Sequence, residues 1–281
     1  MNIGILNPGK MGIAVARTMI HSGHEVYWAS AGRSPATRNR AESAGLHELA
    51  SAQEMAQTCA AIVCVCPPHA AHDVADLVIN TGFQGVYLDA NAIAPRTARE
   101  IGAKVTAAGI TFIDGGIIGL PPTERGTSWL YLSGSTAESA VSWFNAGPLE
   151  VEVVGPEIGS ASGLKMCYAA NTKGYNALTT AIMGAAEEFG VRDALEKQWE
   201  RHWPGFAEKR KNAAVSVAYN KAWRFAGEME EMEKAWADAG IPNGFFTAAA
   251  AVYHRIGHLR HDTDEPSLEK VLQAVKKDLL S

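Results

Sequence analysis

A chain of 281 residues with 47% hydrophobic content is long enough for about two domains and rich enough in apolar residues for real cores, which excludes a disordered or fibrous protein. Twenty-five Lys and Arg against 30 Asp and Glu leave a formal charge of −5, so no global basic field exists to gather nucleic acid or anionic lipid. The expected partners are a small-molecule substrate and other subunits, with no nucleic acid and no membrane. No apolar run approaches the roughly 18 residues that span a bilayer, and Met1 leads into Asn2-Ile3-Gly4-Ile5-Leu6 without a basic stretch, so a cytoplasmic chain is expected. Cys59, Cys64, Cys66 and Cys167 lack zinc-ligand spacing; they read as reduced core thiols, and no metal is expected.

Short apolar runs alternate with longer mixed segments from the start to about residue 155, the rhythm of strand-helix-strand units in a doubly wound, mostly parallel sheet. Five strands are expected at 3–6, 24–29, 60–66, 85–89 and 111–113, each flanked by Gly, Pro, Asn or Asp, with two more at 128–133 and 149–154. The fold class is thus an α/β Rossmann domain over 1–155 followed by an all-α domain over 156–281. One long helix is expected at 163–189, ended by Gly190, and another at 192–203, stopped by Pro204. One or two helices at 206–239, then 245–259 and 267–280, complete the second domain. So small a helical half, built on one long apolar helix, has more apolar face than it can easily bury, and a homodimer through these helices is expected.

The first strand runs directly into Asn7-Pro8-Gly9-Lys10-Met11-Gly12, a dinucleotide fingerprint with its first glycine replaced by asparagine. Asparagine tolerates the left-handed backbone better than other non-glycine residues, so the tight turn survives. Gly9 lets the backbone approach a pyrophosphate, Gly12 lets the helix pack on the sheet, and the helix start supplies amide donors to the phosphates. Enzymes that use NAD place an acid about 20 residues later, against the ribose hydroxyls. Ala29 and Ser30 stand there, followed by Ala31-Gly32-Arg33-Ser34, a guanidinium and two hydroxyls suited to a 2′-phosphate. NADP is therefore expected as cofactor in preference to NAD, with Ser30, Arg33 and Ser34 at its adenosine phosphate.

With these residues in view the chain resembles the β-hydroxyacid dehydrogenases, which include 3-hydroxyisobutyrate dehydrogenase and are related to 6-phosphogluconate dehydrogenase and the imine reductases. The opening Gly4 to Gly12 is similar to the family's glycine loop, and Ser22-Gly23-His24-Glu25-Val26 to its lead into the second strand. Leu88-Asp89-Ala90-Asn91-Ala92-Ile93-Ala94-Pro95 resembles the loop that lies near the nicotinamide, and Cys66-Pro67-Pro68 the loop over the cofactor. The resemblance implies that Pro67 and Asn91 flank the nicotinamide, with Asn7, Gly9, Lys10, Met11 and Gly12 at the pyrophosphate. Asp114-Gly115-Gly116-Ile117-Ile118-Gly119-Leu120 resembles the substrate loop, and Gly159-Ser160-Ala161-Ser162-Gly163-Leu164-Lys165 the segment that ends in the family's catalytic lysine.

Hydride transfer needs a group that gives or takes a proton at the substrate oxygen, and Lys165, near the start of an apolar helix, is the candidate. Departures from the family accompany the match. Ile118, beside Gly119, replaces a serine that helps hold a substrate carboxylate, and Tyr168 and Ala169 replace two asparagines. At 100° per residue Tyr168, Ala169, Thr172 and Asn176 share the Lys165 face and Lys173 borders it. Tyr168 is a candidate to assist proton transfer, and Thr172 and Lys173 are candidates for substrate contact. The expected activity is NADP-dependent hydride transfer on a small hydroxy or oxo compound. An imine reductase-like enzyme and a dinucleotide-binding sensor without turnover are the alternatives.

The C-terminal half resembles a branch of the same superfamily whose members are known only as NAD-binding 6-phosphogluconate dehydrogenase-like proteins, a resemblance that names no substrate. Arg224 is expected to pair with Glu228 one turn on. His254, His258 and His261 read as a solvated helix face, and Trp199, Trp203, Phe206 and Trp223 as helix packing.

Overall fold

The computed structural model describes residues 1–276, and the chain divides into two compact units, Met1–Met166 and Cys167 onward. Within the first unit the strands are β1 Asn2–Leu6, β2 Glu25–Ala29, β3 His47–Leu49, β4 Ala61–Cys64, β5 Val86–Asp89, β6 Thr111–Ile118, β7 Trp129–Ser133 and β8 Glu150–Gly155. They form one sheet in the order β3-β2-β1-β4-β5-β6-β7-β8, parallel throughout except where β7 runs against β6. The order reverses direction between β1 and β4, the switch point at which open sheets of this kind hold ligands. The connecting helices are α1 Lys10–His21, α2 Pro35–Ser43, α3 Ala52–Thr58, α4 Ala71–Asn80, α5 Pro95–Ala107 and the short α6 Glu138–Val141.

Both faces of the sheet are covered, which is why its strands read as continuous apolar runs. Ile3, Ile5, Val26 and Ile113 pack with Val15 and Met19 of α1 on one side. Leu6, Ile62 and Tyr87 pack with Met55, Val78 and Ile101 on the other. Fully burying each such aliphatic side chain contributes about 1.5–3 kcal/mol.

Three strands differ from expectation. β4 ends at Cys64, two residues short of the expected 60–66, so Cys66 lies in the loop beyond it. β3 was not expected, because His47-Glu48-Leu49 is a short polar edge, the form in which edge strands avoid unwanted pairing. β6 runs five residues beyond the expected 111–113, through Gly115 and Gly116, which are poor strand formers. Close packing explains these glycines: a Cβ at Gly115 would stand 3.0 Å from the Asp89 carbonyl oxygen, and one at Gly116 would stand 2.7 Å from that of Ala161.

The expected 163–189 helix starts earlier and is interrupted. It comprises α7 Ser160–Ala169, a π-helical turn Ala170–Gly174 and α8 Tyr175–Glu188, with Gly190 at φ +67° just past its end. The first turns of α7 belong to the first unit. The second unit continues with α9 Arg192–His202, α10 Phe206–Asn220, α11 Ala222–Asp238, α12 Gly244–Ile256 and α13 Leu268–Val275. Residues 206–239 are thus two helices, parted at Lys221, and the end of the helix expected at 267–280 lies outside the described residues. Buried Met183, Met229, Met232, Tyr253 and Leu272 form the core of this unit. No described helix is long and apolar enough to cross a membrane. All four cysteines are free, but only Cys59 and Cys64 are core thiols; Cys66, past the end of β4, is half-buried, and Cys167, on the outer side of α7, is exposed.

Candidate active site

The turn after β1 has the geometry of a phosphate cradle. Asn7, at φ +63°, is the one non-glycine among the described residues in the left-handed region, and its carbonyl oxygen accepts the Gly9 N–H at 2.7 Å. A Cβ at Gly12 would stand 2.6 Å from that same carbonyl, so only glycine fits there. The side of Gly9 is open, with nothing nearer than 3.9 Å to where a Cβ would be, and no side chain caps α1. Open backbone and an uncapped helix start are what a pyrophosphate requires, so these residues fit the group. Met11 packs against the sheet core, while the exposed Lys10 lines a cavity of about 620 Å³ with Arg17, Pro121 and Arg125.

At the end of β2 the Arg33 N–H bonds the Ser30 carbonyl at 3.1 Å, closing a turn that leaves Arg33 exposed and its guanidinium unpartnered among the described residues. Ser34 is engaged in capping α2, accepting the Thr37 N–H at 3.3 Å. Glu48, absent from the sequence reading, arrives here because β3 sets it beside Trp28. Its hydrogen bonds with Ser30 and then Arg38 hold the carboxyl below its ordinary range. Ser30 is therefore tied to the Glu48 carboxylate through its side chain and to the Arg33 main chain through its carbonyl.

Across the switch point one side chain ties two loops together. Asn91, buried after β5, accepts the Cys66 N–H on Oδ1 at 2.5 Å, and its own N–H donates to Asp89 Oδ1 at 2.9 Å. Pro67 follows on the surface. Asp89 is fully enclosed and its Oδ2 has no hydrogen-bond partner among the described residues; burial, with Asp114 nearby, pushes its pKa up to about 7 against the opposing Asn91 hydrogen bonds.

Asp114 does the most to position Lys165. Its buried Oδ2 accepts the Ser133 hydroxyl at 2.9 Å, the Gly159 N–H at 2.9 Å and the Ser162 N–H at 3.1 Å, and Oδ1 accepts the Ser162 hydroxyl at 2.6 Å. Ser133 in turn accepts the Ala161 N–H at 3.0 Å. A carboxylate at a helix start satisfies its free amides and complements the dipole, so α7 is pinned onto β6. Gly116 permits the approach, since a Cβ there would also come within 3.0 Å of Lys165 Cβ. Half-buried Lys165 donates from Nζ to the Ile117 carbonyl, which brings its ammonium to the end of β6, at Ile118 and Gly119. The Ser-x-Ser just before the lysine was the available signal for this clamp; its carboxylate lay too far back in the chain to be matched to it.

In the second unit Tyr168 is exposed, and Thr172 bonds back to the Tyr168 and Ala169 carbonyls at 3.2 and 3.4 Å. Lys173 is paired with Glu228 and lies 4.8 Å over the Phe225 ring; burial lowers its pKa against the pull of Glu228. Its charge is thus matched inside its own unit. Arg224 meets Glu228 at 3.6 Å, as the spacing predicts. The π turn inserts one residue, so the shared face deduced at 100° per residue is set back by about 100° beyond Gly174, and Asn176 is buried. His254 faces Glu230 at 2.8 Å, and no group of three potential metal ligands occurs among the described residues. Trp199 and Trp203 pack on Phe206, whereas Trp223 lies under Arg260 instead.

A doubly wound sheet with this cradle defines a dinucleotide-binding domain followed by a helical region, the architecture of an NAD(P)-binding dehydrogenase. Residues 2–142, half of the chain, match the NAD binding domain of 6-phosphogluconate dehydrogenase, and the chain belongs to that family. Residues 186–256 match a domain of unknown function, DUF1932. A mitochondrial 3-hydroxyisobutyrate dehydrogenase of Drosophila melanogaster is 25% identical over 201 residues, 69% of this chain; the chain spans 60% of that relative's length. A conserved protein of unknown function, described as structurally similar to 3-hydroxyacid dehydrogenases, is 25% identical with a TM-score of 0.69, covering 92% of this chain and 98% of its own. The 3-hydroxyisobutyrate dehydrogenase of Mycobacterium tuberculosis, solved with L-serine, shares the fold at a TM-score of 0.74 and 16% identity over 98% of this chain and 99% of its own.

Proposed function

We propose that this chain is an NADP-dependent oxidoreductase of the 3-hydroxyacid dehydrogenase type, acting on a small hydroxy or oxo compound, with Lys165 moving the proton at the substrate oxygen. The observation that carries this reading is the pinning of α7 by Asp114, which holds the Lys165 ammonium at the end of β6. An ammonium in this half-enclosed place donates to a substrate oxygen by releasing the Ile117 carbonyl. Nicotinamide, when bound, supplies or takes up the hydride. Asn7, Gly9, Met11 and Gly12 would hold the pyrophosphate, Arg33 and Ser30 the 2′-phosphate, and Asn91 and Pro67 the loops at the nicotinamide. Tyr168, three residues after Lys165, assists at the substrate, with Thr172 nearby in the chain. Lys173 acts there only if it leaves Glu228. Exposed Leu178 and Ile182 of α8, with Phe189 just past its end, support a homodimer through the helical unit, and four free cysteines fit a reducing cytoplasm.

NADPH oxidation followed spectrophotometrically against β-keto acids, aldehydes and cyclic imines tests the reading. Turnover is expected on an oxo acid or aldehyde, and Lys165→Ala should lower kcat at least about 100-fold. Turnover that survives the substitution refutes the lysine's role. Activity on imines alone favours the imine reductase alternative, and NADPH binding without turnover favours a sensor.

A further inference from the structure

Cys64 ends β4 and Cys66 lies two residues on, with their Sγ atoms 3.6 Å apart. Cys66 is beyond the strand, so no sheet pairing fixes it; its N–H is held by the Asn91 side chain, whose Nδ2 also lies 3.5 Å from Cys64 Sγ. We propose that Cys64 and Cys66 are a redox modification site, a dithiol that a hydroperoxide closes to an intrachain disulfide at the expense of the Asn91 clamp.

The half-buried Cys66 is the thiol an oxidant can reach. Its thiolate attacks the outer oxygen of the hydroperoxide; the O–O bond breaks, the alcohol or water leaves, and a Cys66 sulfenic acid remains. Cys64 then attacks that sulfur, forming the S–S bond and expelling hydroxide, which departs as water. Two thiols and one hydroperoxide give one disulfide, one alcohol (water from hydrogen peroxide) and one water; the two electrons pass from the sulfurs to the peroxide oxygens. The hydrogen bond to Cys66, and then burial, hold the Cys64 proton tightly, so this thiol resolves rather than initiates. Asp89 is the neighbour of Cys64 in the β4–β5 register and has an unpartnered Oδ2, which suits it to receive that proton. Closing the sulfurs from 3.6 Å to the roughly 2.0 Å of a disulfide requires Cys66 to turn toward the strand, and its main chain is tied there by Asn91. Oxidation therefore loosens the junction between the loops after β4 and β5. Its effect on NADPH rests on the proposed cofactor site.

The test uses the full chain carrying Cys167→Ser, which removes the exposed thiol, treated with equimolar hydrogen peroxide. Mass spectrometry of the unreduced tryptic peptide 41–96 should find it two hydrogens lighter, with the link between Cys64 and Cys66, reversed by dithiothreitol. Cys66→Ser should abolish the loss, and Cys64→Ser should leave a dimedone-reactive sulfenic acid at Cys66. A link from Cys59, or no link while wild-type Cys167 oxidises under the same treatment, overturns the proposal. NADPH titration of the oxidised and reduced forms reads the clamp: a tenfold or greater loss on oxidation is expected, and equal affinities refute the coupling. A reduced protein that binds no NADPH counts against the cofactor reading alone, since the disulfide is measured without it.

Discussion

Asp89 offers a direct test of the electrostatics at the switch point. Its carboxyl is fully enclosed and its pKa is raised from 3.8 to about 7, first by burial and then by Asp114. At 1.36 kcal/mol per unit, keeping this group ionised costs the fold on the order of 4 kcal/mol at neutral pH. The direction follows from proton binding. Below pH 4 the group is protonated in folded and unfolded chains alike, and its folded environment carries no penalty. As pH rises from 4 to 7 the unfolded chain releases the proton first, so stability falls, and above the folded value the loss is complete. Asp89→Asn removes the titration while its amide oxygen can still accept the Asn91 N–H. Its new NH₂ group adds a pH-independent cost of about 1–3 kcal/mol if it finds no acceptor. Opening free energies from hydrogen exchange at β4 and β5 amides isolate the sheet from the second unit. The difference between variant and parent should move toward the variant by about 4 kcal/mol between pH 4 and pH 8. A constant difference across that range would refute the reasoning, because it would mean that Asp89 ionises as an ordinary surface acid.

Arg33→Ala should weaken NADPH at least about tenfold, the loss of one charge-assisted phosphate contact, and leave NADH nearly unchanged; calorimetric titration with both coenzymes checks this, and equal losses would contradict the 2′-phosphate assignment. Gly12→Ala places a Cβ 2.6 Å from the Asn7 carbonyl oxygen, which is main chain and cannot step aside. It should destabilise the first unit by about 1–3 kcal/mol and abolish coenzyme binding; a variant that melts and titrates like the parent would show that the turn tolerates a side chain.

What was legible in the sequence was what neighbouring residues decide among themselves. The apolar runs of β1, β2, β4 and β5, the turn from Asn7 to Gly12 and the helix stops at Pro204 and Gly190 all carry their cause within a few residues. β3 was hidden because His47-Glu48-Leu49 borrows its strand conformation from pairing with Tyr27 to Ala29. Glu48 was hidden with it. The π turn had no compositional mark: Ala170 to Gly174 reads as ordinary helix, and Tyr253, which donates its hydroxyl to the Lys173 carbonyl at 2.6 Å, is far along the chain. A face computed at constant pitch therefore fails beyond the π turn, where one extra residue displaces every later position.

The same division explains why Lys165 could be singled out as a candidate while its support could not. The glycine and serine residues before it are visible in sequence as a helix start that packs closely on something. Asp114, by contrast, looks like one member of a substrate-loop motif. Only the sheet register brings it beneath Gly159 and Ser162, and only the absence of a Cβ at Gly116 lets the helix come down onto it. The lysine's position thus depends on a buried carboxylate whose replacement would leave several main-chain and hydroxyl donors short of an acceptor, at about 1–3 kcal/mol each. That dependence makes the clamp a property of the first unit alone. Ile118 and Tyr168 make none of the clamp's hydrogen bonds, so substitution at either leaves the groups that hold Lys165 in place.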